Sequence, residues 1–428
     1  MRPLSAAALD RLEREAFGYF RKNANAKTGL VADCTRPGAP ASIAACGLAL
    51  TAYPVAVERG YLSRAAAAER VRRLLRFFAE GEQGEGPEAI GNRGFFYHFL
   101  DMASGKRVWE CEVSTIDSAY VFAGALAASL YFDGSERIER RIRDFADALC
   151  RRADWEWARN GGATVTHGWR PETGFIPFRW EGYSEALVLY ALALGSATHP
   201  IPEESYRAWT ETYWWRNVYG IDYLHAGPLF IHQLSHVWID FRGIQDGYMR
   251  ERGSDYFENS RRATHIQREY AIRNPLKFRE YGANCWGITA SEGPGPAVLE
   301  IESVKRRFFS YVARGIPEGP DDGTIAPWGA VASLPFAPDV VLPTIRHLIK
   351  TLGVGSTSPF GLEATFNPTF PDSGTRSGWL SPYNFGLNDG PIVLMIENYR
   401  TGLIWKLTRG CEPLVRGLRR AGFRGGWL

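Results

Sequence analysis

Two short segments put carboxylic acids among aromatic rings and just ahead of long apolar runs. One is Trp180-Glu181-Gly182-Tyr183-Ser184-Glu185-Ala186-Leu187; the other is Trp109-Glu110-Cys111-Glu112-Val113-Ser114-Thr115-Ile116-Asp117. An acid in apolar surroundings keeps its proton toward neutral pH, and aromatic faces stack on sugar rings, so the combination points to carbohydrate cleavage by paired carboxylates. Glu185 follows a cap-forming serine and precedes a very apolar helix, with Trp180 and Tyr183 close by as sugar-contacting rings. That setting suits a general acid; the plainer alternative is a helix-start acid that only stabilises its helix. Glu181, four residues earlier on a loop, reads as a hydrogen-bond partner for sugar hydroxyls. Glu112 and Asp117 flank Ser-Thr-Ile. With a helix beginning near Ser114, Asp117 falls in its first turn and Glu112 just before it, and both are candidate catalytic carboxylates. Asp117 also stands three residues beyond Ser114, the spacing of a capping box.

The densest polar-aromatic segment is His232-Gln233-Leu234-Ser235-His236-Val237-Trp238-Ile239-Asp240-Phe241-Arg242. His232, His236 and Asp240 are spaced by four, one face of a helix if the segment is helical. The Glu of an H-E-x-x-H zinc motif is missing, so no metal is expected. Sugar lining by His232, Gln233, His236, Asp240 and Arg242 is one reading, and a satisfied structural network is the other. The Gly-rich run Cys285 to Pro296 lacks the order of a phosphate-binding loop and has no following Lys; its Trp286 and Glu292 are candidate cleft residues. Asp322, in Gly319-Pro320-Asp321-Asp322-Gly323-Thr324, is a further candidate in a turn that leads into an apolar run. Nucleophile elbow, kinase and dinucleotide fingerprints are absent from the sequence, and no cofactor is expected.

The elements that must position these groups form a loose repeat. A polar loop ends in Ser, Thr or Asn; a small and apolar run follows, then a turn and an amphipathic charged helix. Ser42 to Leu50 is followed by Ala65 to Phe78, where Val71, Leu74, Leu75 and Phe78 form one stripe. Tyr120 to Leu130 is followed by Glu136 to Cys150, with Ile138, Ile142, Phe145 and Leu149 on one face. Tyr183-Ser184-Glu185 opens Ala186 to Leu194, Thr324-Ile325-Ala326-Pro327 opens a run before Pro338 to Leu352, and Leu387 to Pro391 opens Ile392 to Tyr399. A helix apolar on every side must be buried on every side, and one-striped helices can cover it. That alternation predicts an all-α, double-layered toroid over a single 1–428 domain, with an α-solenoid as the alternative. Small residues such as Gly124, Ala125, Ala127 and Ala128 let inner helices approach closely. In a toroid the starts of the inner helices share one mouth, which would gather Asp117, Glu185, Thr324 and Asp389.

Composition bounds the function. The chain has 428 residues with 50 basic and 47 acidic side chains, a net charge of +3 that gives no footing for nucleic acid or an anionic membrane. Its 14 tryptophans exceed ordinary usage, and sugar-binding clefts are the commonest functional reason for such a surplus. The six cysteines are scattered without a CxxC pair. The sequence as given shows no apolar leader, so a cytoplasmic protein is expected, or a periplasmic one if a leader has been removed.

These residues carry a resemblance to the bacterial glucoamylase-like family, which is related to the endo-β-1,2-glucanases. The matching segments are Tyr97-His98-Phe99-Leu100-Asp101, Glu112 to Asp117, Thr173-Gly174-Phe175 with Arg179 to Glu185, His232 to Gln245, Trp286 to Pro296, and Asp321 to Pro327. The resemblance implies an (α/α)6 toroid and hydrolysis or transfer of β-1,2-linked glucose by acidic residues without a metal. It places Glu185 as general acid and Asp117 or Glu112 as the carboxylate that activates water. Relatives of this group are thought to invert the anomeric centre, which needs carboxylates roughly 6.5–9.5 Å apart. The alternatives are a transglycosylase on the same glucan, an α-glucan-active glucoamylase, and a non-catalytic sugar-binding protein that keeps Trp180, Trp238 and Trp286 without needing the acids.

Overall fold

The apolar runs become helices buried on nearly every side. Ile43–Glu58, Thr115–Tyr131 and Leu187–Gly195 bury almost all their residues. Arg64–Glu80 and Arg137–Arg152 bury one stripe each and, apart from the buried Glu139, present their charged residues elsewhere. These ends lie within two residues of the sequence expectations, because the 3.6-residue period is a local signal. The computed structural model describes residues 5–371 and 374–428.

The chain divides into two compact units. One comprises Phe20–Tyr213, Ser235–Asp255 and Thr401–Leu428, and the other Met1–Tyr19, Trp214–Leu234 and Tyr256–Arg400. In the first, Ile43–Glu58 packs on Thr115–Tyr131, which also meets Arg137–Arg152 and Leu187–Gly195, while Glu412–Arg420 covers Leu187–Gly195. The small residues make these approaches feasible. A Cβ at Gly47 would run into the backbone of Tyr120, and one at Gly124 into the carbonyl of Gly47. A Cβ at Gly417 would likewise strike the carbonyl of Ala191.

The feature that the helical repeat does not foreshadow is a five-stranded antiparallel sheet in this first unit. It runs Gly91–Asn92, Phe95–Tyr97, Val113–Ser114, Gly168–Arg170, Gly174–Phe175 in spatial order. Its strands are two or three residues long, and Val113–Ser114 leads directly into the Thr115–Tyr131 helix.

In the second unit Pro327–Ala332 packs on Pro338–Lys350 and on Gly386–Arg400. The last helix starts five residues before Pro391 and runs through it, earlier than the sequence expectation of a start after that proline. The segment from His232 to Asp240 is not one α-helix: Leu229–His232 and Leu234–Val237 are separate 3₁₀ turns. Among the described residues no helix is long and apolar enough to cross a membrane.

Candidate active site

The short sheet sets the site by register. Tyr97 pairs with Val113, and Val113 pairs with Trp169. One step along these antiparallel strands, His98 comes opposite Glu112 and Glu112 opposite Arg170, so a histidine, a carboxylate and a guanidinium stand in one row. The His98 backbone N–H donates to the Glu112 carbonyl at 2.9 Å. His98 Nδ1 lies 3.0 Å from Glu112 Oε1, and Arg170 Nη2 lies 3.5 Å from Glu112 Oε2. The hydrogen bond from His98 leads the effects that hold the Glu112 carboxyl down at about 2, against opposing burial.

Asp117 enters from the first turn of the Thr115–Tyr131 helix. The Ser114 hydroxyl donates to Asp117 Oδ2 at 2.6 Å, and the Asp117 N–H donates back to Ser114 Oγ at 3.3 Å. The Ser114 side-chain cap is present, without the return bond of a full capping box among the described residues, and His98 Nε2 stands 3.5 Å from the same Oδ2. Asp33 joins the group electrically. Burial raises its carboxyl to about 6, Asp117 adds to the rise, and His98 and Arg36 oppose it.

Glu185 occupies the turn just before Leu187–Gly195. Ser235, from a distant segment of the same unit, donates to the Glu185 carbonyl at 2.6 Å and accepts the Val188 N–H at 3.1 Å. It thereby fills the place of a cap that the helix's own N-cap residue, Ala186, lacks. Glu185 is half-buried as a residue, yet burial lifts its carboxyl to about 7 and the charge of Asp117 lifts it further. Tyr120 lies one turn beyond Asp117, and both Asp117 and Glu185 add to the burial that pushes its phenol well above the usual value. Its hydroxyl is buried without a hydrogen-bond partner among the described residues.

Residues 177–412 match the model of the Glycoamylase family, described as "Putative glucoamylase". The chain belongs to this family. A solved structure from Bacteroides uniformis with the same description is 31% identical, with a TM-score of 0.88 and 100% of each chain covered. An endo-β-1,2-glucanase from Chitinophaga pinensis, solved with sophorotriose and glucose, is 26% identical with a TM-score of 0.86, covering 99% of this chain and 100% of that one. The exo β-1,2-glucooligosaccharide sophorohydrolase (non-reducing end) of Parabacteroides distasonis is 26% identical over 96% of this chain, which spans 57% of that relative's length.

In this glycoamylase-family chain the remaining sequence candidates fall in different surroundings. Trp180 is buried, stacks on His167 at 4.0 Å and donates from Nε1 to Thr115 Oγ1, so it braces the start of the helix that carries Asp117. Glu181 is exposed and accepts from Thr164 Oγ1 at 2.9 Å, while Tyr183 packs edge-on to Tyr213. Asp240 is fully buried and bound by Arg242 through two 2.7 Å contacts and by Arg409; His236 packs against Phe241. In the second unit His232 Nε2 meets the Ala226 carbonyl at 3.1 Å, and burial lowers its pKa to about 4. Gln233 donates to the Gly329 carbonyl and Ser333 Oγ. Trp286 is buried, and Glu292 accepts from Ser381. Asp322 forms a buried pair with Arg314 and accepts the Phe309 and Thr324 N–H groups. The 232–242 segment thus supplies internal ties, the structural alternative of its sequence pattern. Thr324 and Asp389 also lie in the second unit, where burial drives the Asp389 carboxyl well above its usual range.

Sequence reasoning passed over Asp33, Arg170, Tyr120 and Ser235, and quoted His98 without a role. For His98 and Arg170 the missing signal is strand register, which links residues 14 and 58 positions from Glu112. Among the described residues, no group of three or more His, Cys, Asp or Glu is arranged to hold a metal ion.

Proposed function

We propose that this chain is a glycoside hydrolase acting on β-1,2-linked glucan or its oligosaccharides, built as an (α/α)6 toroid and inverting the anomeric centre. The observation that carries the reading is a buried carboxyl beside a second carboxylate: burial lifts Glu185 to about 7, and the charge of Asp117 lifts it further. Environments that push neighbouring carboxyls apart create an acid and a base at the same pH. Glu185 protonates the leaving glycosidic oxygen as general acid. Asp117 takes a proton from the attacking water, and Glu112, already engaged by His98 and Arg170, serves to fix the row. The names of the relatives from Chitinophaga pinensis and Parabacteroides distasonis support the linkage.

The test is incubation of the purified chain with linear β-1,2-glucan and, in parallel, soluble starch, with products separated by chromatography. Sophorose or short sophoro-oligosaccharides from the first substrate alone are the expected result, and the product length separates exo from endo cleavage. Starch cleavage would move the reading to α-glucans. Longer or cyclic products would indicate transglycosylation, and no product from either substrate would sink the enzymatic reading.

A further inference from the structure

The proposed reaction needs Asp117 ionised while Glu185, which feels its charge, keeps a proton. His98 is held in a geometry that can meet this demand. Its Nδ1 faces Glu112 Oε1 at 3.0 Å, its Nε2 faces Asp117 Oδ2 at 3.5 Å, and its ring lies flat on Phe99 with centroids 4.0 Å apart. A neutral imidazole has one N–H and one lone pair, so it would set that lone pair against a carboxylate. With carboxylates on both sides, the ring is suited to carry both protons.

We propose that His98 is a positioning residue: a fixed imidazolium, anchored by Glu112, that keeps Asp117 charged and aimed and so keeps the catalytic proton on Glu185. This rests on the reading of Asp117 and Glu185 as the catalytic pair. The charges around it are few. Asp33 faces His98 from the loop before Ile43–Glu58, Glu112 from the sheet and Asp117 from the helix start. Arg170 faces Glu112 and Arg36 faces Asp33, and among the described residues Asp117 pairs with no guanidinium. Beyond Asp117 stand Glu185 and the phenol of Tyr120. Without the imidazolium, three carboxylates would share two peripheral guanidiniums, and Asp33 would lose a neighbouring charge that lowers its pKa. Burial alone would discharge His98, but Asp117, Glu112 and Asp33 outweigh it and lift the ring to about 9.

Two measurements on the full chain test this. In ¹⁵N-labelled wild type, the His98 ring nitrogens, assigned by their loss in His98→Gln, should show the imidazolium pattern at about pH 7.5, where an ordinary histidine is neutral. A neutral ring there overturns the proposal whatever the activity, and an inactive wild type with a charged ring sinks the catalytic reading instead. In the pH profile of kcat/KM on linear β-1,2-glucan, His98→Gln should move the acid limb up by about one unit, the lower end of what losing a nearby charge does. The loss in kcat/KM should then approach tenfold below the acid limb and vanish well above it. A uniform loss with an unmoved acid limb overturns it, because a merely structural histidine would give that result. If His98→Gln does not fold, the ring assignment passes to Glu112→Gln, which should shift the same two nitrogen signals.

Discussion

Replacing Glu185 by Gln should make the protein more stable at alkaline pH while abolishing turnover. Burial raises the Glu185 carboxyl from 4.5 to about 7. A rise of about 2.5 units at about 1.36 kcal/mol each corresponds to at most about 3 kcal/mol between its two protonation states. The sign follows from linkage. The folded chain binds this proton more tightly than the unfolded chain, so the stabilisation is fully present below the unfolded value near 4.5 and is lost as pH rises through 7. Gln does not titrate and never incurs the loss. The two proteins should therefore unfold alike near pH 4.5, and the variant should lead by up to about 3 kcal/mol above pH 8. With about 2.1 cal/mol/K of unfolding entropy per residue over 428 residues, that lead is about 3–4 °C in melting temperature. Melts of both proteins from pH 4.5 to 9, run beside turnover on linear β-1,2-glucan, give both readouts. A stability difference that does not change with pH, or a wild type that is the more stable at pH 9, would refute the claim that burial holds this proton.

Asp117→Asn keeps an acceptor for the Ser114 hydroxyl, so its stability should change by less than about 1 kcal/mol. Turnover should fall by about 10²–10⁴-fold, and a variant retaining most of its rate removes Asp117 as the base. Arg314→Met strands the fully buried Asp322 carboxylate and should cost about 3–5 kcal/mol in urea unfolding; a loss below about 1 kcal/mol would mean that the site relaxes to admit water. Gly47→Ala places a methyl group against the Tyr120 backbone between two tightly apposed helices, and should destabilise by about 1–3 kcal/mol, read from the same unfolding curves.

What the sequence makes legible is set by the range of the forces involved. The stripe Val71, Leu74, Leu75, Phe78 repeats at helical spacing and is satisfied by any flat apolar neighbour, so the helix Arg64–Glu80 can be read without knowing that neighbour. The same holds for the acid at the start of an apolar helix: Glu185 and Asp117 stand out because the runs behind them must be buried. His98 and Arg170 do not stand out, because two- and three-residue strands carry almost no periodicity and their partners are chosen by contacts elsewhere in the chain. Asp33 lies on a loop with no repeat at all. The segment His232 to Asp240 fails for a different reason. A spacing of four puts residues on one face only at 3.6 residues per turn, and this chain folds there as short 3₁₀ turns with three. Its histidines and aspartate consequently find separate buried partners.

The roles proposed for the acids that the sequence announces depend on the cation that it hides. Asp117 raises the pKa of both Glu185 and Asp33, as expected for like charges sharing a confined space. The His98 imidazolium stands between Glu112 and Asp117, with its two ring nitrogens 3.0 and 3.5 Å from their carboxylate oxygens. The short sheet supplies that placement, since strand register sets His98 against Glu112 while the adjoining helix start brings Asp117 to the other ring nitrogen. The helices thus create the burial that lifts Glu185, and the sheet sets the His98 ring that faces its neighbour Asp117.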